Sequence, residues 1–334
     1  MGHRRQRLGR TSGPPWWLLG ATLAAGLIWA APAEADGAER SQTASPALAT
    51  TAARGELSRR VAIRGGRKLY LECRGTGGPT VVLEAGTGDL AEIWSEPPFG
   101  PGRAVVPAVA RFTRVCAYDR PGTYLLPDEL SRSDPVAMPR SARDIVRDLR
   151  ALLRAARVPG RYVLAGHSFG GLVARLYATT DPRKIAGLVS IDAQNEDFVA
   201  AYKQLLTPEQ YTAAVLNPGP PPGLEHYSAV ERLDLEVSAA QMRQAQADTP
   251  IRRVPLVVLS HSREIPNPFG FPPDWPVAAL ERAFQASQNR LAELVPGARH
   301  VIATRSGHYV QLDQPRLVTR AIRWVVRKAR ARRA

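Results

Sequence analysis

The chain has 334 residues, is 44% hydrophobic and carries a formal net charge of +15. This length suits one large α/β domain or two small ones, and the apolar fraction is enough for a sizeable core. Such a charge raises the question of nucleic acid or an anionic membrane surface as partner. No zinc-ligand spacing or aromatic–basic interleaving indicates a nucleic-acid module, so we expect no nucleic-acid partner and leave membrane-surface association open.

The N-terminus predicts a targeting segment. Arginines at 4, 5, 7 and 10 precede an apolar stretch over 16–30, and small residues follow near position 35. This order is typical of a secretory signal peptide, which we assign to 1–35. An uncleaved membrane anchor is the alternative, because the apolar stretch is nearly long enough to span a bilayer. We therefore expect export to the periplasm, the cell envelope or the medium.

Residues 36–56 are rich in Ala, Ser, Thr, Gly and Glu and predict a flexible linker. Apolar runs then predict eight strands and two clear helices. The strands are expected at 57–64, 68–73, 80–84, 113–118, 161–165, 185–191, 255–260 and 300–304, and the helices at 141–158 and 316–330. Strands that alternate with helices imply an α/β fold over 57–330, with a mostly parallel sheet covered by helices on both faces.

Residues 194–250 interrupt this alternation. They combine a proline- and glycine-rich stretch at 218–223 with short amphipathic helical pieces. An insertion of this size between two core strands predicts a helical lid over the site.

The most informative motif is Gly166-His167-Ser168-Phe169-Gly170, which lies between a predicted strand and a predicted helix. This context indicates a nucleophile elbow, a sharp turn that exposes the serine hydroxyl. A Cβ atom at Gly166 or Gly170 would collide with the neighbouring elements. Ser168 is therefore the candidate nucleophile.

Two further patterns follow predicted strands: Glu84-Ala85-Gly86, and Tyr118-Asp119-Arg120-Pro121-Gly122. Together with the elbow, they make the chain resemble the α/β-hydrolase superfamily over about 57–330, especially its exported bacterial serine esterases. The resemblance implies an eight-stranded α/β-hydrolase fold and acyl transfer through a Ser–His–acid triad. It implies no metal and no cofactor.

A serine needs a base, and the chain has only six histidines. His308 follows the last predicted strand, in the order serine, acid, histidine that the family uses. It is the predicted base. His167 is expected to face away from the site.

The acid is open between two carboxylates. Asp192 directly follows the strand over 185–191, whereas Glu264 follows the next strand, where family members more commonly carry their acid. Asp192 lies at a tight strand end, which directs its side chain well. We favour Asp192 and keep Glu264 as the alternative.

An oxyanion hole needs two backbone donors. Phe169 supplies one N–H at the start of the helix after the elbow. The loop Ala85-Gly86-Thr87 supplies the other, and we assign it to Thr87.

Cys73 and Cys116 are the two cysteines of the chain. The resemblance places their strands side by side, so that a disulfide is geometrically possible in an exported protein. Two buried free thiols are the alternative.

A serine at the elbow argues against the family members that attack with an aspartate. The resemblance instead implies hydrolysis of a small-molecule ester or amide, with carboxylic esters as the leading class. A proline iminopeptidase-like peptidase is one alternative, with Glu196 and Asp197 as candidates to hold a substrate amine. A ligand-binding protein that has lost turnover is the other.

Overall fold

The structure is a computed structural model that describes residues 56–95, 104–124, 130–221, 223–251 and 253–332. The predicted signal peptide lies outside these residues, as does all but the last residue of the predicted linker. Within the described ranges, no helix is long and apolar enough to cross a membrane.

The described residues form one eight-stranded sheet in the order β1-β2-β4-β3-β5-β6-β7-β8. The strands β1 and β2 pair antiparallel, β2 and β4 pair antiparallel, and all the other pairs are parallel. The predicted fold class is confirmed. The strands are β1 Leu57–Ala62, β2 Lys68–Arg74, β3 Thr80–Glu84, β4 Val115–Tyr118, β5 Tyr162–His167, β6 Ile185–Ile191, β7 Leu256–His261 and β8 Arg299–Ala303.

Helices connect the strands and cover the sheet. They are α1 Glu92–Ser95, α2 Val105–Ala110, α3 Ala142–Ala155, α4 Phe169–Thr180, α5 Glu196–Leu205, α6 Pro208–Tyr211, α7 Leu235–Asp248, α8 Val277–Glu293, α9 Val310–Asp313 and α10 Pro315–Ala331. A 3₁₀ turn spans Pro182–Lys184, and a π-helical turn spans Thr212–Leu216.

The core has two apolar layers, one on each face of the sheet. Successive strand residues alternate between them: Val163 packs with α2 and α10, whereas Leu164 packs with α3 and α4. This alternation follows from the two-residue period of a strand. Because both faces are covered, the central strands are apolar throughout. Because these strands are parallel, their carboxyl ends meet at one edge of the sheet.

The helix α8 was not among the predicted elements. Its buried residues Leu280, Phe284 and Leu291 recur at helical spacing, but the run of prolines before the helix is more typical of a loop. The helix packs near β7, and this placement matters for the site described below.

The predicted lid segment 194–250 contains α5, α6 and α7. In α7, Met242 and Ala245 are buried in the same core layer as α3 and α4. This helix is therefore part of the body of the domain. For the rest of the segment, a lid over the site stays a prediction.

Cys73 and Cys116 form a disulfide. They are direct partners in the antiparallel register of β2 and β4, with their Cα atoms 4.0 Å apart. The structure therefore decides between the two alternatives in favour of the disulfide.

Candidate active site

Ser168 lies between the end of β5 and the start of α4, with φ 51° and ψ −127°. A non-glycine residue in this region is strained, and such strain is held only where the surroundings enforce it. Here the turn is held by close backbone packing, which leaves no room for a side chain at either flanking glycine. A Cβ atom at Gly166 would lie 2.3 Å from the Gly170 carbonyl oxygen, and one at Gly170 would lie 2.4 Å from that of Ala85. The predicted collisions are confirmed.

His308 and Asp192 are hydrogen-bonded. Nδ1 of His308 lies 2.6 Å from Oδ2 of Asp192. Asp192 is the first residue after β6, it is fully buried, and its φ is 46°. His308 lies on the loop after β8, where its side chain is 14% exposed and lines the same cavity as Ser168. The arrangement brings serine, imidazole and carboxylate to one edge of the sheet.

Glu264 does not join this arrangement. Its side chain is exposed, and its backbone N–H donates a hydrogen bond to the Ser262 hydroxyl at 3.2 Å. Of the two candidate acids, the structure therefore brings only Asp192 to His308.

The expectation that His167 faces away from the site is wrong. Its Nε2 lies 3.0 Å from the backbone carbonyl oxygen of His308, and the two rings pack with their centroids 4.6 Å apart. His167 is fully buried between the elbow and the His308 loop, because the next residue, Ser168, turns sharply away from the strand.

Asp192 has a second imidazole partner. Nδ1 of His261, the last residue of β7, lies 2.9 Å from Oδ2 and 3.0 Å from Oδ1 of Asp192. The His261 backbone N–H also donates to Oδ1, at 2.8 Å. On the other side of the ring, Nε2 lies 2.8 Å from Oε1 of Glu281 on α8.

These contacts shift the pKa values of all three groups. Burial disfavours the ionised form of Asp192, but the charge and hydrogen bonds of His261 and His308 outweigh burial and lower its pKa to about 2. Burial also opposes the charge on His261, yet Asp192 and Glu281 raise the pKa of His261 to about 9. For His308 burial prevails, assisted by the nearby His167 and His261, and its pKa is lowered. The His308 imidazole is therefore neutral at pH 7.

The two predicted oxyanion donors have no competing acceptor. Within the described residues, neither the Thr87 nor the Phe169 backbone N–H donates a hydrogen bond to the protein. The Phe169 group lies at the first turn of α4, where helical N–H groups lack intrahelical partners. The next N–H of the loop, that of Gly88, is already taken by Oε2 of Glu231 at 2.8 Å.

A buried ion-pair network supports that loop. The Arg120 guanidinium bonds to Glu231 at 2.6 and 2.9 Å, and to Glu84 and the Ala85 carbonyl at 2.9 Å each. Asp119, the residue before Arg120, forms its ion pair with Arg132 and not with Arg120. Burial, the largest influence, raises the pKa of Glu84 to about 7. Arg120 thereby ties the segment before α7 to the loop that carries Thr87.

The cavity at Ser168 has a volume of about 280 Å³ and walls that are largely aromatic and aliphatic. The apolar side of the cavity is formed by Phe198, Tyr202, Ala214, Leu233, Leu235, Phe269 and Phe284. Several of these residues come from the predicted lid segment. The cavity can therefore hold a small apolar group against Ser168 and His308.

The two acids proposed to hold a substrate amine are already paired. Glu196 forms an ion pair with Arg175, and Asp197 pairs with Arg290 at 2.6 Å. Neither is among the residues that line the cavity at Ser168.

No group of described residues has the arrangement of a metal site. This holds also for the cluster of Asp192, Glu281, His261 and His308. Those side chains are joined by direct hydrogen bonds instead. Sequence reasoning missed the roles of His261, Glu281 and Glu231 in the surroundings of the site. The only local signal was the position of His261 at the end of a predicted strand beside the one that ends at Asp192.

Comparison with known proteins points to one family. The model of the alpha/beta hydrolase family matches residues 81–321. The uncharacterized protein YqjL of Bacillus subtilis is 25% identical over 75% of this chain and 84% of its own length. The crystal structure of Cfl2 from Burkholderia cenocepacia superposes with a TM-score of 0.53 at 20% identity, over 81% of this chain and 96% of that one. A serine hydrolase of carbazole degradation, CarC, does so with a TM-score of 0.50 at 15% identity, over 81% and 99%.

Proposed function

The chain belongs to the alpha/beta hydrolase family, and on that premise we propose that it is a serine hydrolase that cleaves carboxylic esters through an acyl-enzyme. The observation that carries the proposal is the 2.6 Å contact between Asp192 and His308, with His308 and Ser168 on the wall of one cavity. Serine, imidazole and buried carboxylate are the three groups that acyl transfer by this route needs.

In the proposed reaction, the Ser168 hydroxyl attacks the ester carbonyl carbon and passes its proton to Nε2 of His308. The carbonyl oxygen becomes an oxyanion and accepts the N–H groups of Phe169 and Thr87. His308 then gives the proton to the departing alkoxide, which leaves as the alcohol. A water molecule, deprotonated by the same imidazole, attacks the acyl-enzyme, and the acid is released as Ser168 recovers its proton.

Asp192 acts through His308. Its hydrogen bond to Nδ1 selects the tautomer with a free Nε2 and stabilises the imidazolium formed in each half of the reaction. The Ser168 hydroxyl makes no hydrogen bond within the described residues, so the bond that joins it to His308 belongs to the substrate complex, as is common in sites without substrate.

The walls of the cavity support an apolar substrate group. A volume of about 280 Å³ is at the small end of ligand pockets, so we propose esters with short or medium acyl or alcohol groups. A proline iminopeptidase-like activity is disfavoured because Glu196 and Asp197 are neutralised by arginines and do not line the cavity. A pure binding protein would have no need of unused oxyanion donors.

Export is part of the proposal. It is supported by the signal-like N-terminal pattern and by the Cys73–Cys116 disulfide, a bond that persists in oxidising compartments. N-terminal sequencing of the protein recovered from the membrane, the envelope and the medium of its host distinguishes a cleaved signal near residue 35 from an intact anchor.

The first test is the intact mass after exposure to a fluorophosphonate, with Ser168→Ala as the matched control. We expect one adduct on the wild type and none on the variant. A panel of p-nitrophenyl esters of increasing acyl length, together with aminoacyl anilides, then defines the substrate. An unmodified, folded wild type without ester hydrolysis would contradict the proposal.

A further inference from the structure

Four side chains form one continuous hydrogen-bonded chain, in the order Glu281, His261, Asp192, His308. The successive contacts are 2.8 Å, 2.9 Å and 2.6 Å. His261 and Asp192 are both fully buried, and the Glu281 side chain is 16% exposed. A triad of serine, histidine and acid requires only the last two members, so His261 and Glu281 need a reason of their own.

The hydrogen-bond geometry favours the imidazolium form of His261. Each ring nitrogen faces a carboxylate, and a carboxylate can only accept. The Gln285 side-chain nitrogen also lies 3.0 Å from Nε2, and it donates to Oε1 of Glu281 at 2.8 Å. A neutral imidazole has one N–H and would leave one nitrogen lone pair against a negative oxygen. The imidazolium has two N–H groups and satisfies both contacts. The pKa of His261, about 9, agrees with this assignment.

We propose that His261 is a positioning residue for the reaction: as a buried imidazolium held by Glu281, it fixes the Asp192 carboxylate and keeps His308 neutral down to lower pH. The catalytic part of this inference rests on the proposed function, whereas the charge of His261 does not.

Two effects link His261 to the base. A carboxylate that already accepts from His261 is a weaker partner for a proton on His308. In addition, a fixed positive charge next to Asp192 disfavours a second positive charge on His308. Both effects lower the pKa of His308. When His261 loses its charge, the second effect disappears and the first weakens.

The surroundings of His261 contain no other described charge in direct contact with its ring. The ring stacks on Phe284, with centroids 5.3 Å apart, and makes a T-shaped contact with Phe269 at 5.5 Å. The groups that the packed elements turn toward His261 are Asp192 after β6, His308 after β8, and Glu281 and the uncharged Gln285 on α8.

The burial of these charges argues for a functional reason. Removing an imidazolium and two carboxylates from water carries a large desolvation penalty, and apolar residues of similar volume often give equal or greater stability. Phe269 and Phe284 already surround the position. The three charged side chains end on the proposed base, His308. Their burial has a functional reason if the charge of His261 controls the protonation of His308.

The first experiment determines the charge without any substrate. Histidine labelled with ¹⁵N in the full chain is titrated by NMR, and the His261 signals are assigned by their loss in His261→Gln. We expect both His261 nitrogens to be protonated at pH 7.5, with a pKa near 9. In Glu281→Gln the amide oxygen can still accept from Nε2, and the pKa of His261 falls. A neutral His261 at pH 7.5 overturns the proposal.

The second experiment is the pH profile of kcat/KM on the best ester. In His261→Gln, the acidic limb moves up by about one pH unit, which is about a tenfold loss of rate at pH values below the limb. His226→Gln, which removes an exposed histidine, leaves the limb at its wild-type position. An unmoved limb in a folded His261→Gln protein overturns the positioning role.

Glu281→Gln provides an independent check if His261→Gln fails to fold. Because neutral His261 holds the Asp192 carboxylate less firmly, the wild type is expected to lose part of its activity as His261 deprotonates near pH 9. In Glu281→Gln this alkaline limb moves to lower pH together with the His261 pKa measured by NMR. An alkaline limb that stays fixed while the NMR pKa moves overturns the role. Inactivity toward every ester and toward fluorophosphonate would instead overturn the proposed function and the catalytic part of the inference, while NMR still decides the charge.

Discussion

His167 donates from Nε2 to the backbone carbonyl of His308 across 3.0 Å. The residue before the proposed nucleophile therefore holds the loop that carries the proposed base. The two rings also pack with their centroids 4.6 Å apart, so that the elbow and the loop after β8 are in direct contact. The distance between Ser168 and His308 thus depends on a residue with no assigned step in the reaction.

This relationship predicts the effect of His167→Phe. The substitution keeps an aromatic ring and removes the donor, so the His308 loop loses its anchor. We expect kcat/KM to fall by about 10- to 100-fold, because a base misplaced by an ångström loses much of its effect. The measurement is ester hydrolysis at the pH optimum. His226→Phe is the matched control at an exposed histidine, and equal activity of the two variants would argue against the anchor.

The two candidate acids predict opposite outcomes. Asp192→Asn is expected to lower kcat on the order of 10⁴-fold, because an amide opposite Nδ1 favours the wrong tautomer of His308. Glu264→Gln should leave kcat within about twofold, since Glu264 is exposed and makes no contact with His308. Steady-state kinetics of both variants, with circular dichroism to verify folding, make the comparison. A large loss in Glu264→Gln would reverse the assignment.

Glu231 is predicted to stabilise the fold through Arg120. Glu231→Gln leaves the buried guanidinium with half of its countercharge, and breaking a buried pair costs about 3–5 kcal/mol of unfolding free energy. Glu236→Gln is the matched control in the same segment. Its carboxylate is 41% exposed, and its loss should cost less than about 1 kcal/mol. Urea denaturation of both variants measures the difference, and equal losses would contradict the prediction.

The disulfide is predicted to contribute to stability through the unfolded chain. It closes a loop with a sequence separation of 43, for which the loop-entropy relation gives about 4 kcal/mol. The double variant Cys73→Ala with Cys116→Ala should therefore unfold at markedly lower urea concentration. Reduction of the wild type with dithiothreitol should reproduce most of the loss. A double variant as stable as the wild type would show that the cross-link contributes nothing.

Stability is predicted to fall at alkaline pH because of His261. The pKa of this histidine rises from 6.5 in the unfolded chain to about 9 in the fold, so the folded state binds the extra proton. The contribution is complete below about pH 6.5 and is lost as the pH rises through 9, and its full size is about 3 kcal/mol. Urea unfolding at pH 6.5, 8 and 9.5 should show this decline in the wild type and a smaller one in His261→Gln. Parallel declines would contradict the assignment.

Much of the fold could be read from local patterns. The strand predicted at 185–191 is observed over the same residues, and the helix predicted at 141–158 is observed at Ala142–Ala155. Continuous apolar runs mark the central strands because these strands are buried on both faces, and helical periodicity marks α3. Helical periodicity is weaker at α8, where three of the seventeen residues are both apolar and buried and a run of prolines comes before the helix.

The sequence by itself identified Ser168 as the candidate nucleophile, because the glycines that a strand–turn–helix needs form a local pattern. It identified His308 as the candidate base from the order of the residues along the chain. It could not decide between Asp192 and Glu264, since both follow neighbouring parallel strands and so reach the same edge of the sheet. Only the tertiary structure shows which of the two is hydrogen-bonded to His308. The contacts among His308, Asp192, His261 and Glu281 join residues 20 to 116 positions apart, and such distances are set by how β6, β7, β8 and α8 pack, which no local pattern encodes.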